Sequence, residues 1–323
     1  MKLRLLGTLA VAAALAVSAH APAGATTYTI KDLGTFGGSL GTVATGISNN
    51  GQICGYSYTG GTTQPAHAFL YSNGALHDLT PTITVDSFAT GINALGDVCG
   101  YNLAGSSPTV WLYPHGNAYG ALTIEGPGYG FGINRYDTIV GKDTNGYAAK
   151  WSGGKETVLT AKVAEGRSIN IYNTVVGSVG ATAAKWTPGA GLTLLPGAVE
   201  TYAVNNSGYT VGVLYDSYNN PHAAALVNGV WDTMAAPTGT GLYSDAVSVN
   251  ASNVIGGYIT WYGQPHACLW TSPDQFPQMV DLEISNPITG MALNNVVGIN
   301  DSGVLAVAGT INGQQRSFIL TPQ

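Results

Sequence analysis

Thr90-Gly91-Ile92-Asn93-Ala94-Leu95-Gly96-Asp97-Val98-Cys99-Gly100-Tyr101 reads as a strand, a tight turn and a second strand within twelve residues. Variants of this stretch occur seven times. The apolar anchors are Ile47, Ile92, Ile133, Ile169, Val204, Val249 and Ile299. The next residue is Ser48 in the first copy and Asn93, Asn134, Asn170, Asn205, Asn250 or Asn300 in the others. Three residues further on stand Gly51, Gly96, Asp137, Asn173, Gly208, Asn253 and Gly303. This is the signature of a type I turn: Asn or Ser caps its first position, and its fourth takes residues that tolerate positive φ. A β-branched residue at that fourth position would cost roughly 1–2 kcal/mol.

Short apolar runs follow each turn, for example Ile53-Cys54-Gly55-Tyr56 and Val175-Val176-Gly177, with Gly256 read as the glycine of the sixth copy. Such runs suit strands buried on both faces, and the glycine marks a bulge or close backbone approach. A third strand comes next, as in His67-Ala68-Phe69-Leu70-Tyr71 and Ala148-Ala149-Lys150-Trp151. A glycine turn then leads to a fourth, as in Ala75-Leu76-His77-Asp78-Leu79. The anchors are 45, 41, 36, 35, 45 and 50 residues apart. Four strands per period of about 40–45 residues predict a β-propeller. The expected fold is all-β, a seven-bladed propeller of four-stranded blades.

Thr27-Tyr28-Thr29-Ile30-Lys31-Asp32-Leu33 reads as a fourth strand without its first three, and the chain ends just after a third strand at Leu320. The N-terminal strand should therefore complete the last blade and close the ring, removing sheet edges that invite aggregation. Residues 1–25 read as a secretory signal: Lys2 and Arg4, an apolar run from Leu5 to Val17, and Ala23-Gly24-Ala25 as cleavage site. That run is short for a membrane span. The expectation is one propeller domain over 26–323, released to the periplasm or the exterior.

Charged residues make up 9 % of the chain, far below the usual quarter, and its 45 glycines are about double the usual share. Without Lys2 and Arg4 the formal net charge moves from −6 to −8. Nucleic-acid binding needs a basic face, and the chain has no basic run.

These repeats resemble the HAF-repeat family of bacterial extracellular proteins. The motifs that carry the likeness are His67-Ala68-Phe69, Asp32-Leu33-Gly34-Thr35-Phe36-Gly37-Gly38 and Gly46-Ile47-Ser48-Asn49-Asn50-Gly51-Gln52. Repeats three and four depart from it, with Ala-Lys-Trp in place of His-Ala-Phe. The resemblance implies secretion and this fold, and it carries over no catalytic residue.

Candidate chemistry is sparse. His67, His222 and His266 share one repeat position on the third strands, away from the axis where zinc ligands would have to converge. Cys54 and Cys99 occupy equivalent positions in neighbouring repeats, as buried thiols or a bridge; Cys268 is far from both. Asn205, Asn250 and Asn300 match glycosylation acceptors but belong to the repeat turn. Gly126-Pro127-Gly128-Tyr129-Gly130 lacks the spacing of a nucleotide loop. No calcium loop, G-x-S-x-G elbow or H-E-x-x-H helix occurs, and no cofactor or metal is expected.

The first-to-second and third-to-fourth turns should share one face, leaving longer loops for ligands on the other. The richest pair there is Tyr215, Asp216 and Tyr218 with Trp261 and Tyr262, aromatics beside amides and a carboxylate that suit a glycan or a protein surface. The expected function is a secreted, non-enzymatic binding module. One alternative is a glycan-active hydrolase or lyase using Asp86, Glu125, Asp143, Glu165 and Asp216, with Arg167 beside them. Another is a structural surface protein.

Overall fold

The computed structural model describes residues 26–60, 64–236 and 243–323, so the segment expected to be a signal lies outside them. The described chain is all-β apart from one 3-10 turn, and it forms a propeller. In the first sheet, Thr42–Ile47, Ile53–Tyr58, Ala66–Ser72 and Ala75–Asp78 run antiparallel from the axis outward in sequence order. No helix among the described residues is long and apolar enough to cross a membrane.

The ring closes as the N-terminal strand suggested. Tyr28–Asp32 pairs with Gln314–Pro322 as the outer strand of the last sheet, from Tyr28 opposite Pro322 to Asp32 opposite Phe318. Tyr28, Ile30 and Leu33 are buried there.

Seven separate four-stranded blades are not what forms. Five sheets have four strands, and the third and fourth repeats share one sheet of seven. The shared element is Lys155–Ile169, a strand of 15 residues. Lys155 to Val163 pairs with Tyr147–Ser152, and Ala164 to Ile169 pairs with Val175–Val179. The physical reason lies in the crossover. Lys155-Glu156-Thr157-Val158-Leu159-Thr160-Ala161-Lys162-Val163 contains no Gly or Pro to break the strand, whereas other crossovers carry Pro81, Gly126 and Gly128, or Pro196 and Gly197.

The seven repeat turns form a ring of their own. Each Asn Oδ1 caps its turn, as Asn134 Oδ1 does by accepting from the N–H groups of Tyr136 and Thr138. Each Nδ2 donates to the backbone carbonyl at the equivalent position of the next turn: Asn93 to Asn134, Asn134 to Asn170, Asn170 to Asn205, Asn205 to Asn250, Asn250 to Asn300, and Asn300 to Ser48. Those six bonds measure 2.9–3.2 Å. Ser48 has no amide to send to Asn93 and bonds to Asn50 instead. Asn205, Asn250 and Asn300 are thus buried and committed to the ring rather than presented as acceptors for sugar.

The glycine of the second strand is required by close approach. A Cβ on Gly55, Gly100, Gly141, Gly177, Gly212 or Gly257 would lie 1.8–2.2 Å from a carbonyl oxygen of the inner strand. In the sixth repeat the equivalent residue is Gly257, opposite Ala246, so Gly256 stands one place earlier, at the position of Cys54 and Cys99. Between sheets the core is apolar, with Trp111, Trp151 and Trp270 fully buried on third strands. Cys54, Cys99 and Cys268 are buried free thiols; burial pushes Cys54 up to about 12 and raises Cys99 and Cys268 as well.

In the first and sixth repeats the third-strand histidine ties its blade to the outer segment, on the strand Ala75–Asp78 in one and on the 3-10 turn Val280–Glu283 in the other. His67 Nδ1 lies 2.8 Å from Asp78 Oδ2, and His266 Nδ1 lies 2.8 Å from Asp281 Oδ2. In the last sheet Arg316 takes the same place and pairs with Asp32. The His-Ala-Phe and Asp-Leu motifs are therefore two halves of one cross-strand pair. In the fifth repeat Thr233, opposite Ala224, holds the place of Asp78, and His222 turns to Asp216 at 3.3 Å. No group of three metal-ligating side chains occurs among the described residues.

Candidate functional site at the channel mouth

Every inner strand carries a β-bulge at the same place, two residues before its anchor, and Ala198–Val204 and Met291–Ile299 each carry a second one nearer their start. The extra residues at the shared place are Thr45, Thr90, Phe131, Arg167, Tyr202, Val247 and Val297. A bulge re-aims the side chain it inserts. Here all seven point to one recess of about 410 Å³ at the end of the channel away from the asparagine ring. Two of them also fasten neighbouring repeats: Thr45 Oγ1 donates to Ala89 O at 2.9 Å and Thr90 Oγ1 to Gly130 O at 2.8 Å.

A second tier stands two residues further out along the inner strands: Val43, Phe88, Tyr129, Glu165, Glu200, Asp245 and Asn295. It divides the rim. One side is aromatic: Phe88 meets Tyr56 edge-on at 4.9 Å, Tyr101 lies 5.2 Å from Phe88, and Tyr129 lies 5.0 Å from Tyr101. The other side is charged. Arg167 sits over Phe131 at 5.1 Å, donates from Nε to Glu200 Oε1 at 2.6 Å and pairs through Nη2 with Glu165 Oε2 at 3.0 Å. Lys142 Nζ donates to Glu165 Oε1 at 2.8 Å and lies 5.3 Å from the Tyr129 ring centre. Burial opposes the Arg167 charge, but Glu200 and Glu165 outweigh it and raise its pKa.

Asp245 completes the charged side. It lies opposite Tyr258 in the strand register. Burial lifts its carboxyl to about 6; the Tyr258 hydroxyl pulls it down, and the Glu200 charge adds to the rise. Tyr202 and Tyr258 are raised by burial and then by these carboxylates, Tyr258 to about 12.

None of the expected loop residues lines the recess. Tyr215 ends the strand Thr210–Tyr215 and is near enough to Tyr202 and Tyr258 to raise both. Asp216 caps its own turn, accepting from the N–H groups of Tyr218 and Asn220 at 2.8 and 2.9 Å, which holds its carboxyl down at about 2. Tyr218 is 84 % exposed at that turn. Trp261 packs partly buried against the core of its own repeat, with its ring 5.1 Å from Tyr262 and 6.0 Å from His266. Tyr262 is 82 % exposed and takes the positive φ of its hairpin turn.

The five carboxylates considered for catalysis are mostly committed to backbone. Asp86 accepts from Ala66 N at 2.8 Å, Glu125 from Gly154 N at 2.7 Å, and Asp143 from Asn145 N and Tyr147 N at 2.9 and 2.7 Å. Asp216 is the turn cap, and Glu165 is ion-paired on the rim. The bulged residues were missed because the sequence reading followed the positions that repeat. The signal was present at the place that varies: inside each regular repeat, the residue two before the anchor is Thr, Thr, Phe, Arg, Tyr, Val or Val.

Two other depressions are poorer in chemistry. The opposite channel mouth, about 400 Å³, is bordered by the asparagine turns. A wider cleft of about 590 Å³ at the closure seam presents mainly turn backbone, and its one cation, Lys31, is spent on Gly74 O at 3.3 Å and on the Tyr71 ring.

Fold and recess together define a closed propeller scaffold with an aromatic and charged channel mouth. No family model matches the chain, and no curated protein matches it. Solved structures do resemble it. YCF48 bound to D1 peptide aligns with TM-score 0.59 at 11 % identity, covering 92 % of this chain and 95 % of that one. A chain of the mitotic checkpoint complex gives TM-score 0.54 at 10 % identity, with 99 % of both chains covered. A prolyl endopeptidase gives 0.53 at 10 % identity, covering 92 % of this chain and 50 % of that one. At such identities the likeness is one of fold.

Proposed function

We propose that this chain is a secreted binding module that holds an extended segment of another protein across the channel mouth, without catalysis. The observation that carries this is the seven-fold bulge: one side chain from every repeat is turned into one concave site, where the repeats are free to differ. The scaffold is built from seven repeats, five of them forming four-stranded sheets and two of them sharing the strand Lys155–Ile169. Arg167 is held by two glutamates and a ring, and a fixed guanidinium is suited to hydrogen-bonding a ligand carbonyl at little ordering cost. Two of the similar structures are protein assemblies, one of them named for its bound peptide, which supports a peptide as ligand here.

A glycan is the second reading, favoured by the row Tyr56, Phe88, Tyr101 and Tyr129, whose rings offer stacking surfaces. Catalysis by paired carboxylates is disfavoured because Asp86, Glu125, Asp143 and Asp216 serve backbone N–H groups. Secretion rests on residues 1–25, and membership of the HAF-repeat family on the quoted motifs.

The test is a random-peptide array and a glycan array, each probed with wild type, Phe131→Ala and Arg167→Ala. Peptide spots that lose at least tenfold in both variants are expected. Binding that survives both substitutions unchanged would move the site elsewhere, and glycan-only binding would select the second reading. Release is checked separately, by comparing full chain and a form lacking 2–25 in culture medium; equal retention in the cells overturns it.

A further inference from the structure

Resting on that reading, we infer that the stretch of the rim between Tyr202 and Asn295 is a subsite for a cationic group, the ammonium or guanidinium of a Lys or Arg side chain in the bound segment. Asp245 Oδ1 and Asn295 Oδ1 are buried acceptors without a donor. They occupy the same tier on the inner strands of adjacent repeats, opposite Tyr258 and Ala308 respectively. A buried acceptor left unmatched is costly, and a donor brought by a ligand would remove that cost.

Charge gives the second observation. The rim carries three carboxylates, Glu165, Glu200 and Asp245, but two cations, Lys142 and Arg167. Both cations are already taken: Lys142 bonds to Glu165, and Arg167 is divided between Glu165 and Glu200. Asp245 is left without a counter-ion, and its raised pKa agrees with that.

The surroundings narrow the ligand to a cation with an apolar stem. Tyr202 and Tyr258 stand beside the carboxylate, with Tyr215 near both. Tyrosine faces attract cations, and an aromatic wall accepts the methylene stem of Lys or Arg. An anionic ligand group would meet Asp245 and Glu200 unfavourably, and a neutral apolar one would leave the acceptors unmatched.

The experiment is an NMR titration of the ¹⁵N-labelled protein with N-acetyl-lysine methylamide, N-acetyl-arginine methylamide and the uncharged N-acetyl-norleucine methylamide. The two cations are expected to shift the amides of Tyr202, Asp245 and Tyr258 saturably, and the norleucine probe is not. Asp245→Asn should weaken the cations at least tenfold while leaving the rest of the amide spectrum in place, which shows that the variant is folded. An equal response to norleucine, undiminished binding by Asp245→Asn, or no saturable response to either cation overturns the subsite. The peptide array separates the two ideas. Array peptides that depend on Phe131 and Arg167 but show no preference for Lys or Arg sink the subsite and spare the binding module. Cation binding without any such peptide leaves the subsite standing and sinks the module.

Discussion

Asp137 holds the turn position where other repeats place Gly or Asn, and it is the misfit among them. It lies beside Asp97, and Asn93 Nδ2 reaches both, at 2.6 Å to Asp97 Oδ2 and 3.3 Å to Asp137 Oδ1. Burial first and the Asp97 charge second lift the Asp137 carboxyl to about 6. A carboxyl raised on folding binds its proton more tightly in the folded state, so this contribution to stability is present at pH 4 and is lost as pH rises through about 6. Asp137→Asn, which copies Asn173 of the next repeat, should therefore raise stability at pH 7 by about 1 kcal/mol once solvent screening is allowed for, with almost no gain at pH 4. Thermal melts at the two pH values check this; an equal gain at both would remove the electrostatic explanation. A different residue-scale outcome is expected at Gly141, where a Cβ would meet Tyr129 O at 1.8 Å. Gly141→Ala should cost roughly 2–3 kcal/mol as an overpacking change. Gly51→Ala has open space around it and only a positive φ to resist, so it should cost about 1 kcal/mol. Urea titrations of both variants give the ranking. The need for these glycines was legible in the sequence, because glycine recurs in register. The bulges opposite them were not, because a bulge shows itself through the partner strand and not through its own residue type.

Pairing of the third and outer strands shows the same limit one level up. Both motifs, His-Ala-Phe and Asp-Leu, could be read from the sequence, yet each looked like a local strand signature. That His67 meets Asp78 depends on cross-strand register, which the turn between the two strands sets, and His266 meets Asp281 only because the outer segment continues into a 3-10 turn. The last repeat runs a natural substitution experiment by using Arg316 against Asp32. His67→Arg should accordingly keep stability within about 0.5 kcal/mol, whereas His67→Ala should lose about 1 kcal/mol by leaving Asp78 Oδ2 without its partner, while Oδ1 keeps the Thr80 N–H. Chemical denaturation of the two variants decides; equal loss in both would mean that the ring shape of histidine matters and the pair does not. The joined third and fourth repeats leave no distinct trace in the anchor spacing, which is 36 residues between Ile133 and Ile169 and 35 in the next interval, whose crossover is broken by Pro196 and Gly197. A period count alone could not tell a shorter loop from a strand continuing through.

At the scale of the whole molecule, closure by Tyr28–Asp32 was readable because the two chain ends complement each other in strand number. The recess was not, because it exists only when seven bulges from distant parts of the chain face one axis. Closure makes a direct prediction. Removing residues 26–33 uncovers the edge of Gln314–Pro322 and the apolar surface that Tyr28, Ile30 and Leu33 bury, roughly 1.5–3 kcal/mol for each side chain. That variant should aggregate on gel filtration, and a synthetic peptide of residues 26–34 added during refolding should restore the monomer peak. A monodisperse variant that melts at the wild-type temperature would show the strand to be dispensable. The asparagine ring has a kinetic consequence. Its six bonds join residues 35 to 252 positions apart, and none can form until neighbouring repeats have docked side by side. Contacts so distant along the chain form late, after local hairpins have closed. The ring therefore reports that repeats sit side by side in the right register, but, because every acceptor is the same backbone carbonyl, it does not select which repeat docks beside which. The gap at Ser48 leaves one junction of the circle, between the first and second repeats, without such a bond, so that junction is the place where the closed ring should open most readily.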